Sequence, residues 1–284
     1  MSMPRSAKFL AFLAAVLLCV PLCLFVVATA AQNPPAEDPL FTAVCPIVYQ
    51  LDESPSSRGY HYTFFGNAFF INEQGYLLTV AHVLDTFRDG GQPYILITRP
   101  NAPPRLVQAN IIAVDHQHDV AILRANPNPF ATSRNLTFLP LSSDPAASGQ
   151  AVIALSLHPR KLQNAQSFQI PVEDRSSGEV LSYESTQLDK AAPPAQVFLL
   201  SHSVNLGQSG SPVLALDSRG VVGLIEGRWV RTSTAAELKS ASTPGAAIPI
   251  QYAIELLQRQ SIGWHTLQTS QPMSSAAPSA GNVR

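Results

Sequence analysis

Three short segments of this chain carry residue types that can act together on a carbonyl group. The first is Leu77-Leu78-Thr79-Val80-Ala81-His82-Val83, which follows Asn72-Glu73-Gln74-Gly75, a hairpin-turn sequence. An apolar strand that runs straight into a lone histidine leaves the imidazole where the strand ends. The second is His118-Asp119-Val120-Ala121-Ile122-Leu123. An acid directly before four apolar residues is half-buried, so its carboxylate needs a hydrogen-bond donor, and an imidazole N–H is a suitable one. The third is Gly207-Gln208-Ser209-Gly210-Ser211-Pro212, followed by a strand. Glycines on both sides of a serine permit a tight turn whose backbone N–H groups point at one spot.

Acyl transfer needs all of these parts at once. A serine hydroxyl at its ordinary pKa is a poor nucleophile, so a base must take its proton during attack. An imidazole suits that role near neutral pH, and a buried carboxylate fixes its tautomer and stabilises the imidazolium. Backbone donors then stabilise the charge that develops on the carbonyl oxygen. The segments occur in the order His82, Asp119, Ser209, separated by 37 and 90 residues.

The elements that must hold these residues are short strands. Candidate strands are Val44–Leu51, Tyr62–Ile71, Tyr76–Thr79, Tyr94–Arg99, Val107–Asp115 and Val120–Arg124. A second group comprises Ala151–Leu157, Phe168–Val172, Glu179–Glu184, Val197–Ser201, Pro212–Leu216 and Val221–Glu226. Runs of this length, broken by Gly, Pro, Asn and Ser, give an all-β sandwich or a pair of barrels. One stretch is helical: Ile250, Ala253, Ile254 and Leu257 fall on one helix face, after Pro249 and before Gly263.

Composition narrows the function classes. The chain has 284 residues, 46% hydrophobic and 13% charged, with a formal net charge of -1. No basic concentration faces a phosphate backbone, so a generic nucleic-acid binder is excluded. Residues 1–31 read as an export signal: Arg5 and Lys8, then 23 uncharged residues from Phe9 ending in Ala28-Thr29-Ala30-Ala31. Pro21 and the Ala-x-Ala ending favour cleavage over an uncleaved anchor at residues 9–31, the one case in which the protein would stay with a membrane. Removal leaves 16 basic against 19 acidic residues, a net charge of -3, and Cys45 as the single cysteine. The expected destination is the periplasm or the medium. Residues 32–40, containing QNPPAEDP, read as a linker, and residues 265–284, rich in Ser, Ala and Pro, as a disordered tail. Between them, residues 41–264 are expected to form the folded domain.

The three segments and their order resemble the trypsin-like serine proteases, and among them the bacterial high-temperature-requirement (HtrA) branch. The resemblance extends to Gly66-Asn67-Ala68-Phe69-Phe70-Ile71, to Asp115 and Asp119 before Val-Ala-Ile-Leu, and to Gly220-Val221-Val222-Gly223-Leu224. Ala247-Ile248-Pro249-Ile250 entering a helix resembles the family's end of domain. It implies two packed six-stranded Greek-key β-barrels, chymotrypsin-like, with a C-terminal α-helix and the site in the cleft between the barrels. It also implies His82 as general base, Asp119 as its orienting acid, and Ser209 as nucleophile. The backbone N–H groups of Gly207 and Ser209 would form the oxyanion hole. The function implied is a serine endopeptidase acting on protein or peptide through an acyl-enzyme, with no cofactor and no metal.

Departures from the pattern set further expectations. No PDZ domain is expected after the helix. Gln208 stands where chymotrypsin-like zymogens carry an acid that pairs with a freed amino terminus, which argues against activation by cleavage. Ser203 lies at the pocket-base position and is not an acid, so a preference for Arg or Lys is disfavoured. With Ile225 as a second pocket residue, a small or medium apolar side chain before the scissile bond is the better fit. Two other classes remain for comparison. One is a catalytically silent pseudoprotease that binds a peptide or partner. The other is a metal-dependent hydrolase using Asp115-His116-Gln117-His118-Asp119, whose partial ligand spacing falls short of the three or four ligands of zinc sites.

Overall fold

A computed structural model describes residues 38–50, 62–87, 90–99, 102–133, 135–159, 171–229 and 243–267. The expected signal segment and most of the expected tail lie outside these residues. A 3-10 turn, Pro39–Ala43, opens the described chain, so the expected linker gives way to regular structure at Pro39.

The first barrel is built from β1 (Val44–Gln50), β2 (Tyr62–Phe70), β3 (Tyr76–Thr79), β4 (Tyr94–Arg99), β5 (Ala102–Asp115) and β6 (Val120–Asn126). These close in the order β1-β2-β3-β6-β5-β4. The β2–β3 turn forms because Asn72 Oδ1 accepts the N–H groups of Gln74 and Tyr76, both at 3.2 Å, while Gly75 takes φ +80°. That turn sets the register Phe69↔Leu78 and Phe70↔Leu77 and so fixes where β3 ends, just before His82.

The second barrel uses β8 (Ala151–Pro159), β9 (Pro171–Thr186), β10 (Ala195–Leu200), β11 (Pro212–Ala215), β12 (Val221–Arg228) and β13 (Gly245–Pro249). They run β11-β8-β9-β10-β13-β12, and an additional β11–β12 pairing closes the ring. Two short strands, β7 (Leu141–Ser142) and β14 (Thr266–Leu267), pair in parallel beside β12. Order therefore continues three residues past the expected start of the tail, where His265 stacks on Phe138 with ring centroids 4.4 Å apart. The helix, α1, spans Ile250–Arg259 and buries Ile250, Ala253, Leu256 and Leu257.

The core explains why these strands hold. One cluster of buried side chains contains Phe69, Phe70 and Leu123 from the first barrel and Leu155, Leu157 and Leu224 from the second. Fully burying each such side chain is worth roughly 1.5–3 kcal/mol. A smaller cluster around Phe198, Val213, Val222 and Ile225 fills the second barrel. Cys45 is buried in β1, and burial pushes its thiol far above the usual range, so it behaves as a small apolar filler.

Two strand expectations are corrected. Phe168–Val172 and Glu179–Glu184 belong to a single run: β9 begins at Pro171, continues without a break to Thr186, and pairs with β8 and β10 (Phe168 lies outside the described residues). Its middle, Asp174 to Gly178, is polar and largely outward-facing, so no apolar pattern marks it. The strand Gly245–Pro249 has little pattern to read, because its Gly-Ala-Ala start is small rather than alternating, and burial on both faces admits no more.

Candidate active site

His82 lies in a 3-10 turn, Ala81–Phe87, that begins where β3 ends. Asp119 closes the turn between β5 and β6, with φ +53°, a left-handed conformation that aspartate adopts more readily than most residues. This backbone aims the carboxylate back at His82. Asp119 Oδ1 accepts the backbone N–H of His82 at 2.8 Å, and Oδ2 lies 2.8 Å from His82 Nδ1. One acid therefore fixes both the main chain and the ring of the histidine. The other ring nitrogen, Nε2, has no hydrogen-bond partner among the described residues. Asp119 itself is 6% exposed.

Asp115, the other acid of this segment, has different partners. Its Oδ2 accepts from Arg259 Nη2 at 2.7 Å and lies 3.0 Å from His118 Nδ1, while its Oδ1 accepts the His118 N–H. Asp115 thus ties the acid-bearing turn to α1. Among the described residues Asp115, His116 and His118 form no group of three metal-ligating atoms, whereas Asp119 does so with His82 and Glu226.

The Ser209 loop is held from the first barrel. Asn67, fully buried in β2, donates its backbone N–H to Ser209 O at 2.8 Å and its Nδ2 to Gly207 O at 2.9 Å. Its Oδ1 accepts the N–H of Leu157 in β8 at 3.1 Å, and its carbonyl accepts the Thr79 hydroxyl at 2.7 Å. Gly210 takes φ +81°, and a Cβ there would run into Asn67 O and Thr79 Oγ1, so only glycine allows the approach. Gly207 takes φ +90° with the Phe64 ring beside it. Among the described residues, the N–H groups of Gly207 and Ser209 donate to no protein acceptor, as an oxyanion site requires.

Ser209 Oγ donates to the main-chain carbonyl of Glu226 at 3.0 Å. In the sequence Glu226 is only the last residue of the candidate strand Val221–Glu226. Strand β12 pairs Ile225 with Ala247 and Gly227 with Ala246, so Glu226 is the extra residue of a bulge. A bulge re-aims a side chain, and it is an arrangement often found beside active sites. Here His82, Asp119 and Glu226 each bring one N or O atom to within 4.8 Å of the others. Burial pushes the Glu226 carboxyl up, and the Asp119 charge adds to this against the opposing effect of His82. Partial enclosure disfavours the charged His82 ring, but the Asp119 hydrogen bond and charge, followed by Glu226 and Asp85, outweigh it and raise its pKa. No single-segment pattern announces the bulge; the acid after an apolar strand run is its one visible signal.

Of the two pocket expectations, Ser203 is exposed in the loop after β10. Ile225 is corrected: it is 1% exposed and packs in the core of the second barrel, so its side chain presents no surface to a substrate. Its main chain instead braces the Ser209 loop, accepting from Gly210 N–H and donating to Ser211 O. Arg228 Nε donates to Val204 O at 2.7 Å, joining β12 to the loop that carries Ser203.

Comparison with known proteins agrees with this geometry. The model of the trypsin-like peptidase domain matches residues 66–224. Serine protease HTR4 of Rattus norvegicus is 29% identical over 172 residues, which is 61% of this chain and 30% of that protein. Serine protease HTRA4 of Mus musculus is 28% identical over the same shares. The match thus spans about a third of the length of these relatives. Among solved structures, the Rv3671c protease of M. tuberculosis in its active form superposes with a TM-score of 0.54 at 17% identity, covering 82% of this chain and 87% of that one. The HtrA-type protease AlgW with a decapeptide gives 0.53 at 19% identity, covering 76% and 63%. At such identities the superpositions speak for the fold, and the two-barrel chymotrypsin-like architecture is that fold. With the domain match running over more than half of its length, from Gly66 before the histidine to Leu224 beyond the serine, this chain belongs to the trypsin-like peptidase family.

Proposed function

We propose that the protein is an exported serine endopeptidase that cleaves protein or peptide substrates through a His82–Asp119–Ser209 triad. The observation that carries this reading is the double grip of Asp119 on the main chain and ring of His82, together with a serine loop in which the N–H groups of Gly207 and Ser209 donate to no acceptor among the described residues. In the reaction, Ser209 Oγ turns from the Glu226 carbonyl and attacks the scissile carbonyl carbon while His82 Nε2 takes its proton. In free enzymes the hydrogen bond between nucleophile and base is often long or poorly aligned and tightens when substrate binds. The oxyanion is received by the N–H groups of Gly207 and Ser209, and Asp119 stabilises the imidazolium. His82 then gives the proton to the leaving amine, and the C–N bond breaks to leave an acyl-enzyme. Water, deprotonated by the same nitrogen, hydrolyses that ester and restores Ser209.

The peptide held by AlgW in its complex supports a peptide as the substrate class. Ser203 supports a small or medium apolar side chain before the scissile bond. The run of residues 1–31 supports export to the periplasm or the medium, with cleavage after the Ala-x-Ala ending.

A second reading has one observation in its favour: the Ser209 hydroxyl rests on the Glu226 carbonyl rather than on the base. A pseudoprotease that binds peptide without cleaving it would keep that contact. A fluorophosphonate probe separates the two. The purified mature protein is expected to label stoichiometrically, and Ser209→Ala and His82→Ala are expected to lose the label. A folded parent that takes no label would move the pseudoprotease reading to the front. Labelling and hydrolysis are both expected to be unchanged by chelators.

A further inference from the structure

Behind the nucleophile loop lies a polar network, buried at Gln208 and Ser156 and partly exposed at Asp174 and His158, that the triad chemistry does not itself use. Gln208, 2% exposed, accepts the N–H of Asn205 on Oε1 at 2.6 Å. Its Nε2 donates to Ser156 Oγ and to Asp174 Oδ2, both at 3.0 Å. Ser156 and Asp174 are cross-strand partners on β8 and β9, so one pair of facing residues receives the amide. The same Asp174 oxygen lies 3.0 Å from His158 Nε2, and Ser156 Oγ lies 3.4 Å from that nitrogen. Every polar atom of the Gln208 side chain is thus engaged.

The loop has little else to hold it from this side. Leu206 is 91% exposed, and Gly207 takes φ +90° with an unpaired N–H among the described residues. A segment with few buried apolar contacts opens locally at low cost unless polar anchors hold it. Val204, the Arg228 bond to its carbonyl and the Gly210–Ile225 main-chain bond hold the two ends of the loop, and the side chains that hold the stretch between them are Asn67 from the first barrel and Gln208 from within the loop. Asn67 fixes Gly207 O, whereas Gln208 fixes Asn205 and the chain immediately before Ser209. A buried amide that loses its acceptors carries a desolvation penalty, which favours rearrangement of the loop over retention of the present form.

We propose that Asp174, acting through Gln208, is a positioning residue for the oxyanion site: a carboxylate of β9 within the chain itself holds the Gly207–Ser209 N–H groups ready for substrate. The proposal rests on the reading of Ser209 as nucleophile and deepens it. It supplies an internal anchor for the loop, with the charge on the strand and the amide on the loop. Neither Asp174 nor Gln208 touches the reacting atoms. Their effect is on kcat, because the oxyanion donors act on charge present in the transition state and not in the bound substrate.

The test uses the mature chain as parent, Asp174→Ala, Asp174→Asn and Gln208→Met. It reads kcat and KM on a peptide substrate, the fluorophosphonate labelling rate, and hydrogen–deuterium exchange across residues 203–210. Asp174→Ala and Gln208→Met are expected to lower kcat and labelling by about tenfold or more, with KM within about threefold. Exchange speeds up in 203–210 and stays unchanged in β10 and β11. Asp174→Asn still offers an oxygen to the Gln208 amide and keeps kcat within about threefold of the parent. Parent-like kcat and exchange in a folded Asp174→Ala or Gln208→Met protein overturns the proposal, as does an effect on KM alone. If Asp174→Ala does not fold, Gln208→Met, which keeps the side-chain length, decides between the same two outcomes in its place. A parent that takes no label refutes the reading of Ser209, and the exchange comparison then decides the anchor by itself.

Discussion

His82 sits between two carboxylates in different roles. Asp119 holds Nδ1 and the main chain directly, whereas Glu226 acts on the ring through its charge alone. Together with Asp85, they lift the His82 pKa above the ordinary imidazole value of ~6.5, in spite of the ring's partial enclosure. Catalysis needs the neutral ring as base, so the acid limb of kcat/KM is expected above that value. The sign for a Glu226 variant follows. Removing a nearby negative charge makes the imidazolium less favourable, so Glu226→Gln moves the acid limb to lower pH while Ser209 and Asp119 keep their places. A pH–rate profile of parent and variant measures this. An unmoved limb would mean that the Glu226 charge is screened from the ring, leaving its carbonyl contact with Ser209 as its whole contribution to the site. The bulge that creates this arrangement is also why the role of Glu226 is not legible in the sequence. A bulge is a difference in register between two strands, and neither strand's own residues state it.

At the scale of elements, the turn that carries Asp119 is not free-standing. Its neighbour Asp115 receives Arg259 and His118, and the His118 ring stacks on Tyr252 of α1 with centroids 4.1 Å apart. Burial alone would raise the Asp115 carboxyl, and the hydrogen bonds from His118 and Arg259 more than offset it, so its pKa is lowered. Asp115→Ala leaves these donors without their acceptor and is expected to cost about 1–3 kcal/mol of stability. Its effect on kcat should be small, because the Asp119 contacts with His82 remain. The pH dependence has a definite sign. A carboxyl depressed on folding contributes stability above its unfolded value of ~3.9 and loses that contribution as pH falls through the folded value. The gap between parent and variant in urea denaturation should therefore close in acid. A gap that persists undiminished to low pH would mean packing, and not the charge, ties α1 to the turn. The helix and the three chemical segments are legible because each is written within about ten residues: a 3.6-residue apolar period, a strand ending in His, an acid before an apolar run, a serine between glycines. The middle of β9, polar on its outward face, is not. Nor is the bond from Gln208 to Asp174, whose partners lie 34 residues apart and meet only once β8 and β9 have paired.

For the whole molecule, the question is how two barrels keep His82 on one and Ser209 on the other in register. The larger core cluster crosses between them, with Leu123 and Phe70 on one side and Leu155 and Leu224 on the other. Side chains of α1 belong to the same cluster, so the helix joins both barrels to a single core. Such a shared core predicts one cooperative unfolding transition, with calorimetric and van't Hoff enthalpies equal. Asn67 is the polar counterpart of that core. Rooted in β2, it reaches Gly207 and Ser209 in the nucleophile loop and Leu157 in β8. Asn67→Ala leaves the Leu157 N–H and the Gly207 carbonyl without their partners inside the protein and should cost about 1–3 kcal/mol. Because the main-chain bond from Asn67 N to Ser209 O survives the substitution, the fold and the single transition should persist. Activity should fall further than stability, since Gly207 is then free to turn its N–H away from the oxyanion position. Calorimetry beside fluorophosphonate labelling tests both halves. Two resolved transitions in the variant would show that Asn67, and not the apolar cluster, is what makes the barrels unfold together. Parent-like labelling in a destabilised variant would show that the loop holds its donors without help from the first barrel's side chains.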